Sequence, residues 1–147
     1  MAILPHDFKD FLRLLNEKSV EYLLVGGYAV GYHGYPRATA DMDVWIARNP
    51  ENAQRVTEVL RDFGFDRPDL MPDLFLDENR IVRLGLPPLR IEVITSASGV
   101  TFEECYFKRI RAEIDGIEVN IIDREQLLAN KRAAGRHKDL DDIEHLT

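Results

Sequence analysis

The chain has 147 residues, 45% of them hydrophobic and 31% charged, with a net charge of −7. A chain of this size suits one domain with a real core, and its acidity argues against holding nucleic acid by broad electrostatics, which needs a basic surface. Its one cysteine, Cys105, excludes an internal disulfide and a thiolate metal cage, and the start MAILPHDFKDFLRLL fits neither a signal peptide nor a membrane span, so the expected setting is the cytoplasm.

Phe8, Phe11, Leu12 and Leu15 recur at helical spacing after Pro5 and predict an amphipathic helix ending near Lys18. The run EYLLV reads as a strand, its exit GGYAVGYHG as a glycine turn opening a short helix, and RATADMDVWIA as a second strand. Asn49-Pro50-Glu51 supplies a helix cap with a first-position proline; Ala53, Val56, Val59, Leu60 and Phe63 form one apolar face, and Gly64 is the stop. From Asp66 to Asn79 prolines and mixed charges leave little period, which predicts a loop with at most one helical turn. RIVRLGL and LRIEVIT, separated by Pro87 and Pro88, read as strands, and TFEECYF opens like a capping box, with Glu104 three residues after Thr101. In RIRAEIDGIEVNII the Asp-Gly pair predicts a tight hairpin, because it tolerates the positive φ angles of a two-residue turn. Asp123 caps a helix holding Leu127, Leu128 and Lys131, and a final helix runs from about Lys138. This order predicts a single α+β domain over residues 1–147: a mixed sheet with helices packed mainly on one face and the other face open enough to hold a site.

On the second strand Met42, Val44 and Ile46 share the core face, while Asp41, Asp43 and Trp45 share the other. In LRIEVIT, Leu89, Ile91 and Val93 have core parity and Arg90, Glu92 and Ile94 the opposite one. If the two strands are neighbours, the carboxylates of Asp41, Asp43 and Glu92 converge. Such a cluster repels itself unless a cation lies between, and hard oxygen donors suit Mg²⁺ or Mn²⁺ shared with phosphate. Gly26-Gly27, between a strand and a helix, offers backbone N–H groups to that phosphate.

Plainer readings stand beside these. The glycine pair is also what a tight strand-to-helix turn needs, and Glu92 also reads as a surface acid paired with Arg83 or Arg90. Arg37 and Thr39, entering the acid strand, are placed to reach a triphosphate or simply to be solvated. Lys131, Arg136 and Lys138 either bind triphosphate or pair with Asp139, Asp141 and Asp142; Lys131 is the first choice among them. His6, His33, His137 and His145 have no ligand spacing, and Trp45 reads as a sheet tryptophan before a base-stacking one.

The sequence Gly-Gly after a strand, then a helix, then Arg37-x-Thr39-x-Asp41-x-Asp43, and a later strand with a third acid resembles the DNA polymerase β nucleotidyltransferase superfamily. Within it the chain resembles small prokaryotic nucleotidyltransferase-like proteins related to abortive-infection toxins, whose closing helix pair is similar to LLANKRAAGRHKDLDDIEHL. The resemblance implies a mixed-sheet catalytic fold, dependence on Mg²⁺ (or Mn²⁺), and transfer of a nucleoside monophosphate from a nucleoside triphosphate to a hydroxyl on RNA, protein or a small molecule. It implies Asp41, Asp43 and Glu92 as metal ligands and Gly26, Gly27 and Tyr28 as the phosphate turn, with a cognate toxin or antitoxin as a possible protein partner and no membrane. Tyr28 stands where many members have serine and Glu92 where aspartate is usual, so the alternative expectation is an inactive scaffold that binds nucleotide or a partner.

Overall fold

The computed structural model describes residues 4–36, 39–85 and 89–147. Arg37, predicted near the triphosphate, and the Pro87-Pro88 break lie outside the described residues.

The first helix, α1 (His6–Glu17), buries Phe8, Phe11, Leu12 and Leu15 as their spacing requires. Strand β1 (Tyr22–Val25) runs directly into α2 (Gly26–Tyr32), because Gly26 takes φ +65° and turns the chain at once. Strand β2 covers Asp41–Ile46, so Thr39, Ala40 and Ala47 of the predicted strand lie outside it. Helix α3 (Pro50–Asp62) starts where Asn49 accepts a bond from the Asn52 amide at 2.9 Å. Asn52, itself buried, then ties that helix to the sheet: it accepts from Glu21 N and donates to the carbonyls of Glu21 and Ala47.

The region read as a loop contains one 3-10 turn, Pro72–Phe75, and is held by burial of Leu70 and Phe75. β3 (Ile81–Leu84) and β4 (Arg90–Ile94) follow, then α4 (Phe102–Phe107), the hairpin β5 (Ile110–Ile114) and β6 (Ile117–Ile121), and the helices α5 (Arg124–Ala134) and α6 (His137–Leu146). Asp115 and Gly116 both have positive φ in the hairpin turn, the geometry an Asp-Gly pair is suited to. Two expectations need correction. The Thr101 hydroxyl makes no capping bond, and Glu104 pairs instead with Lys108, one turn on, at 3.2 Å. Leu89, given core parity, precedes β4 and is exposed.

The six strands form one mixed sheet in the order β3-β4-β2-β1-β6-β5. β2 is antiparallel to β1 and parallel to β4. Met42, Val44, Ile46, Ile91 and Val93 are buried in one core with the apolar faces of α1 and α3, where Phe11 meets Phe63 edge-on at 5.2 Å. The opposite face is covered at Trp45, whose ring meets Phe102 of α4 edge-on at 5.2 Å. Trp45 is 2% exposed and is therefore a core residue. The end of that face carrying the acids looks into a cleft bordered by the α5–α6 junction. No described helix is long and apolar enough to cross a membrane.

Candidate active site

Parallel pairing of β2 with β4 sets Asp41 opposite Arg90 and Asp43 opposite Glu92. Antiparallel pairing with β1 sets Val25 opposite Asp43, so the Gly26-Gly27 turn begins beside that carboxylate. The absence of side chains there is required. A Cβ on Gly26 would overlap Asp43 Oδ2, and one on Gly27 would lie 2.8 Å from Thr39 Oγ1. Thr39 in turn donates to the Asp41 carbonyl at 3.2 Å and shapes the entry to β2.

The acids do not converge equally. Asp43 and Glu92 meet, whereas Asp41 is drawn to Arg90, with Nε to Oδ1 at 3.4 Å, and Glu92 is also held by Arg83, with Nε to Oε2 at 2.6 Å. As placed, no group of three or more acidic, His or Cys side chains among the described residues is set to hold a metal ion. Asp43 is the strained member. Its burial, then the Glu92 carboxylate and then Asp41 push its pKa up to about 7, with Lys138 pulling the other way. Its buried Oδ1 has no hydrogen-bond partner among the described residues. An orphaned carboxylate oxygen beside a second carboxylate fits Mg²⁺, which takes one or two protein carboxylates and keeps its other positions for water and phosphate. Arg83 and Arg90 are partly exposed and stand where such a cation would compete with them.

The cleft holds about 450 Å³ and is lined by Gly26, Gly27, Asp43 and Glu92 on one side and by Arg136 and Lys138 on the other. Lys131 also borders it, but its ammonium is buried between Asp139 and Asp142, 3.1 Å from each. Arg136 adds Nε to Asp139 Oδ2 at 2.7 Å and its backbone N–H at 3.2 Å. Burial raises the Asp139 pKa, and the bonds from Arg136 and Lys131 outweigh it and leave the group below the usual carboxylate range. The network locks α5 to α6 with Arg136 as a member, and Lys138 beside it is the cation that acts on Asp43. Tyr28 turns its ring onto Phe8, edge-on at 5.6 Å. His33 bonds the Ile122 carbonyl at 2.7 Å, and Cys105 is buried, its thiol pushed up to about 11 by that burial. Asn79, Arg80, Ser98 and Asn130 also line the cleft; nothing in their sequence neighbourhoods marks them, since folding brings them in from three separate segments.

Comparison of the fold finds close architectural relatives. The protein TM1012 of Thermotoga maritima, assigned as a nucleotidyltransferase, matches with a TM-score of 0.59 and 13% identity over 93% of this chain and 88% of its own. An antigenic nucleotidyltransferase-like protein from Paracoccidioides brasiliensis matches with a TM-score of 0.56 and 19% identity over 99% and 78%. The lincosamide antibiotic adenylyltransferase LnuA, in its lincomycin-bound structure, matches with a TM-score of 0.58 and 15% identity over 99% and 98%. At these identities the likeness establishes the nucleotidyltransferase fold. No curated protein matches the sequence. Residues 6–147 match the model of the family described as "nucleotidyltransferase of unknown function (DUF6036)", and the chain belongs to that family.

Proposed function

We propose that this protein is a metal-dependent nucleotidyltransferase of the cytoplasm that moves a nucleoside monophosphate from a nucleoside triphosphate to a hydroxyl acceptor. One observation carries the reading: Asp43 faces Glu92 across paired strands, beside a side-chain-free glycine turn, in a cleft whose other wall bears Arg136 and Lys138. In the reaction the acceptor oxygen bonds to the α-phosphorus, the bond from that phosphorus to the pyrophosphate oxygen breaks, pyrophosphate leaves, and the hydroxyl proton passes to solvent. Bound Mg²⁺ (or Mn²⁺) supplies charge neutralisation and hydroxyl activation. Asp43 and Glu92, with Asp41 one strand step away, would hold that cation. Gly26 and Gly27 let phosphate oxygens approach backbone N–H groups, and α2 has no side-chain cap competing for them. Arg136 and Lys138 balance the triphosphate charge, Thr39 fixes the strand entry, and Lys131 keeps the α5–α6 wall in place. Tyr28 contributes through its backbone.

A second reading is favoured by the 2.6 Å bond from Arg83 to Glu92, which gives that acid a cation without any metal: a non-catalytic scaffold that binds nucleotide or a partner protein. A cognate toxin or antitoxin with a basic surface would complement the charge of −7 in either case. A transfer assay with each labelled nucleoside triphosphate, Mg²⁺ or Mn²⁺, and total RNA and total protein plus small hydroxylated molecules as acceptors separates the two. Label appearing on an acceptor supports the enzyme, and tight nucleotide binding without transfer supports the scaffold.

A further inference from the structure

A second cavity, of about 350 Å³, adjoins the cleft, and Ser96 and Ala97 line both. Trp45 forms part of its wall. Because Trp45 follows Asp43 by two residues on β2, the cavity lies one side-chain step, roughly 7 Å, further along the same face of the sheet. The Trp45 indole N–H is buried and has no acceptor among the described residues, and buried donors are normally completed by protein, water or ligand. The hydroxyl of Thr101, on the same wall, makes no capping bond to α4.

Charge separates the two spaces. The larger cleft is bordered by Arg80, Arg136 and Lys138, of which Arg80 is paired with Asp77 and Arg136 with Asp139, each at 2.7 Å; Lys138 and the proposed cation are what suit it to a triphosphate. In the smaller one Arg48 is already paired with Glu78 at 3.2 Å, and the exposed Glu103 leaves an acidic surplus that repels a polyanion.

We propose that the smaller cavity is the acceptor site and takes a sugar-sized hydroxylated molecule, neutral or cationic, in preference to a nucleic acid. The proposal rests on the transferase reading above and narrows its acceptor. A hydroxyl there stands one step from the acids, with the indole N–H to orient an acceptor oxygen and Glu103 at the rim to attract an ammonium.

Trp45 is the sole tryptophan, so its emission reports entry into this cavity directly. The full chain is titrated with glucosamine, glucose and glucuronate as a cationic, neutral and anionic series, and trinitrophenyl-ATP with Mg²⁺ is titrated separately to follow the larger cleft. We expect a saturable emission change with glucosamine, a weaker one with glucose and none with glucuronate. Val100→Phe, which fills the smaller cavity, abolishes the change. Glu103→Lys, at an exposed position in the first turn of α4, weakens glucosamine by about fivefold or more and admits glucuronate, and neither variant alters nucleotide affinity, which also checks that each is folded. Absence of a saturable change with all three sugars, a preference for glucuronate in the parent, or an unchanged order in Glu103→Lys would each overturn the proposal. A sugar response without any nucleotide binding would overturn the transferase reading and leave the cavity standing as a ligand site.

Discussion

Gly26 and Asp43 occupy nearly the same space: a methyl group on the glycine would overlap the aspartate's Oδ2, so residue 26 sets how deeply the acid can enter the turn. Gly26→Ala should therefore destabilise the protein by roughly 2–4 kcal/mol and weaken Mn²⁺ binding, since backbone strain at φ +65° and the clash add together. Gly135→Ala is the control. It has φ +63° with its nearest neighbour at 3.6 Å and should cost only the left-handed strain of about 1 kcal/mol. Equal urea midpoints for the two variants would show that Asp43 can move aside freely.

Asp43 should make the metal-free protein less stable as pH rises. Its pKa is raised from 3.8 to about 7 on folding, so between those values the folded state holds a proton that the unfolded chain has released. The group's penalty is absent below about pH 4 and complete above about pH 7, with an upper bound of about 4 kcal/mol. In chelator, Asp43→Asn should flatten this slope and be more stable than the parent at pH 8, while nucleotide transfer is lost. Urea denaturation at pH 5 and pH 8 reads the effect directly, and an identical slope in parent and variant would remove Asp43 as its source.

Glu92 has two suitors, Arg83 and the proposed cation. Glu92→Ala should lower Mn²⁺ affinity by about tenfold or more, and Glu92→Asp by less, because a displaced carboxylate still supplies charge. Arg83→Gln should raise it a few-fold by freeing the acid, a modest effect because the arginine is more than half exposed. Equal affinities in the parent and all three variants would take Glu92 out of the site.

Lys131→Met should cost about 3–5 kcal/mol, because it strands Asp139 and Asp142 as buried acids with one cation fewer. Arg136→Ala removes its side-chain bonds to buried Asp139 but leaves the one from Lys131, so it should cost less stability than Lys131→Met while lowering nucleotide affinity. A Lys131→Met protein as stable as the parent would show that the buried network contributes little to stability.

Much of the fold follows from chemistry confined to a few neighbouring residues. The Asn49 cap, the Asp115-Gly116 turn and the alternation along Asp41–Ile46 each act within one turn or strand, so sequence alone displays them. The failures share a cause in long-range packing. Leu70 and Phe75 are buried although nothing periodic surrounds them, Phe102 closes over Trp45 from a helix far along the chain, and Glu104 prefers Lys108 to the predicted cap. The acid pair was legible because parity places Asp43 and Glu92 on one face; which acid is buried and which is held by an arginine depends on strand neighbours and register. Lys131 illustrates the same limit, since the sequence offers both triphosphate and the aspartates of the last helix as its partners, and only packing buries it between Asp139 and Asp142.

The parallel pairing of β1 with β6 has a consequence for synthesis. The Tyr22 hydroxyl accepts from the Asn120 amide across 98 residues of sequence, and Leu24 lies beside Ile121. While the ribosome is still making the middle of the chain, β1 and β2 can associate as a local pair, but the other edge of β1 stays bare until the last hairpin emerges. Loop closure over such a span is slow and leaves apolar strand edges open to other nascent chains. The strand that leads into the glycine turn, β1, is therefore made early and completed late, and a chain interrupted before the hairpin would aggregate in place of forming a smaller domain.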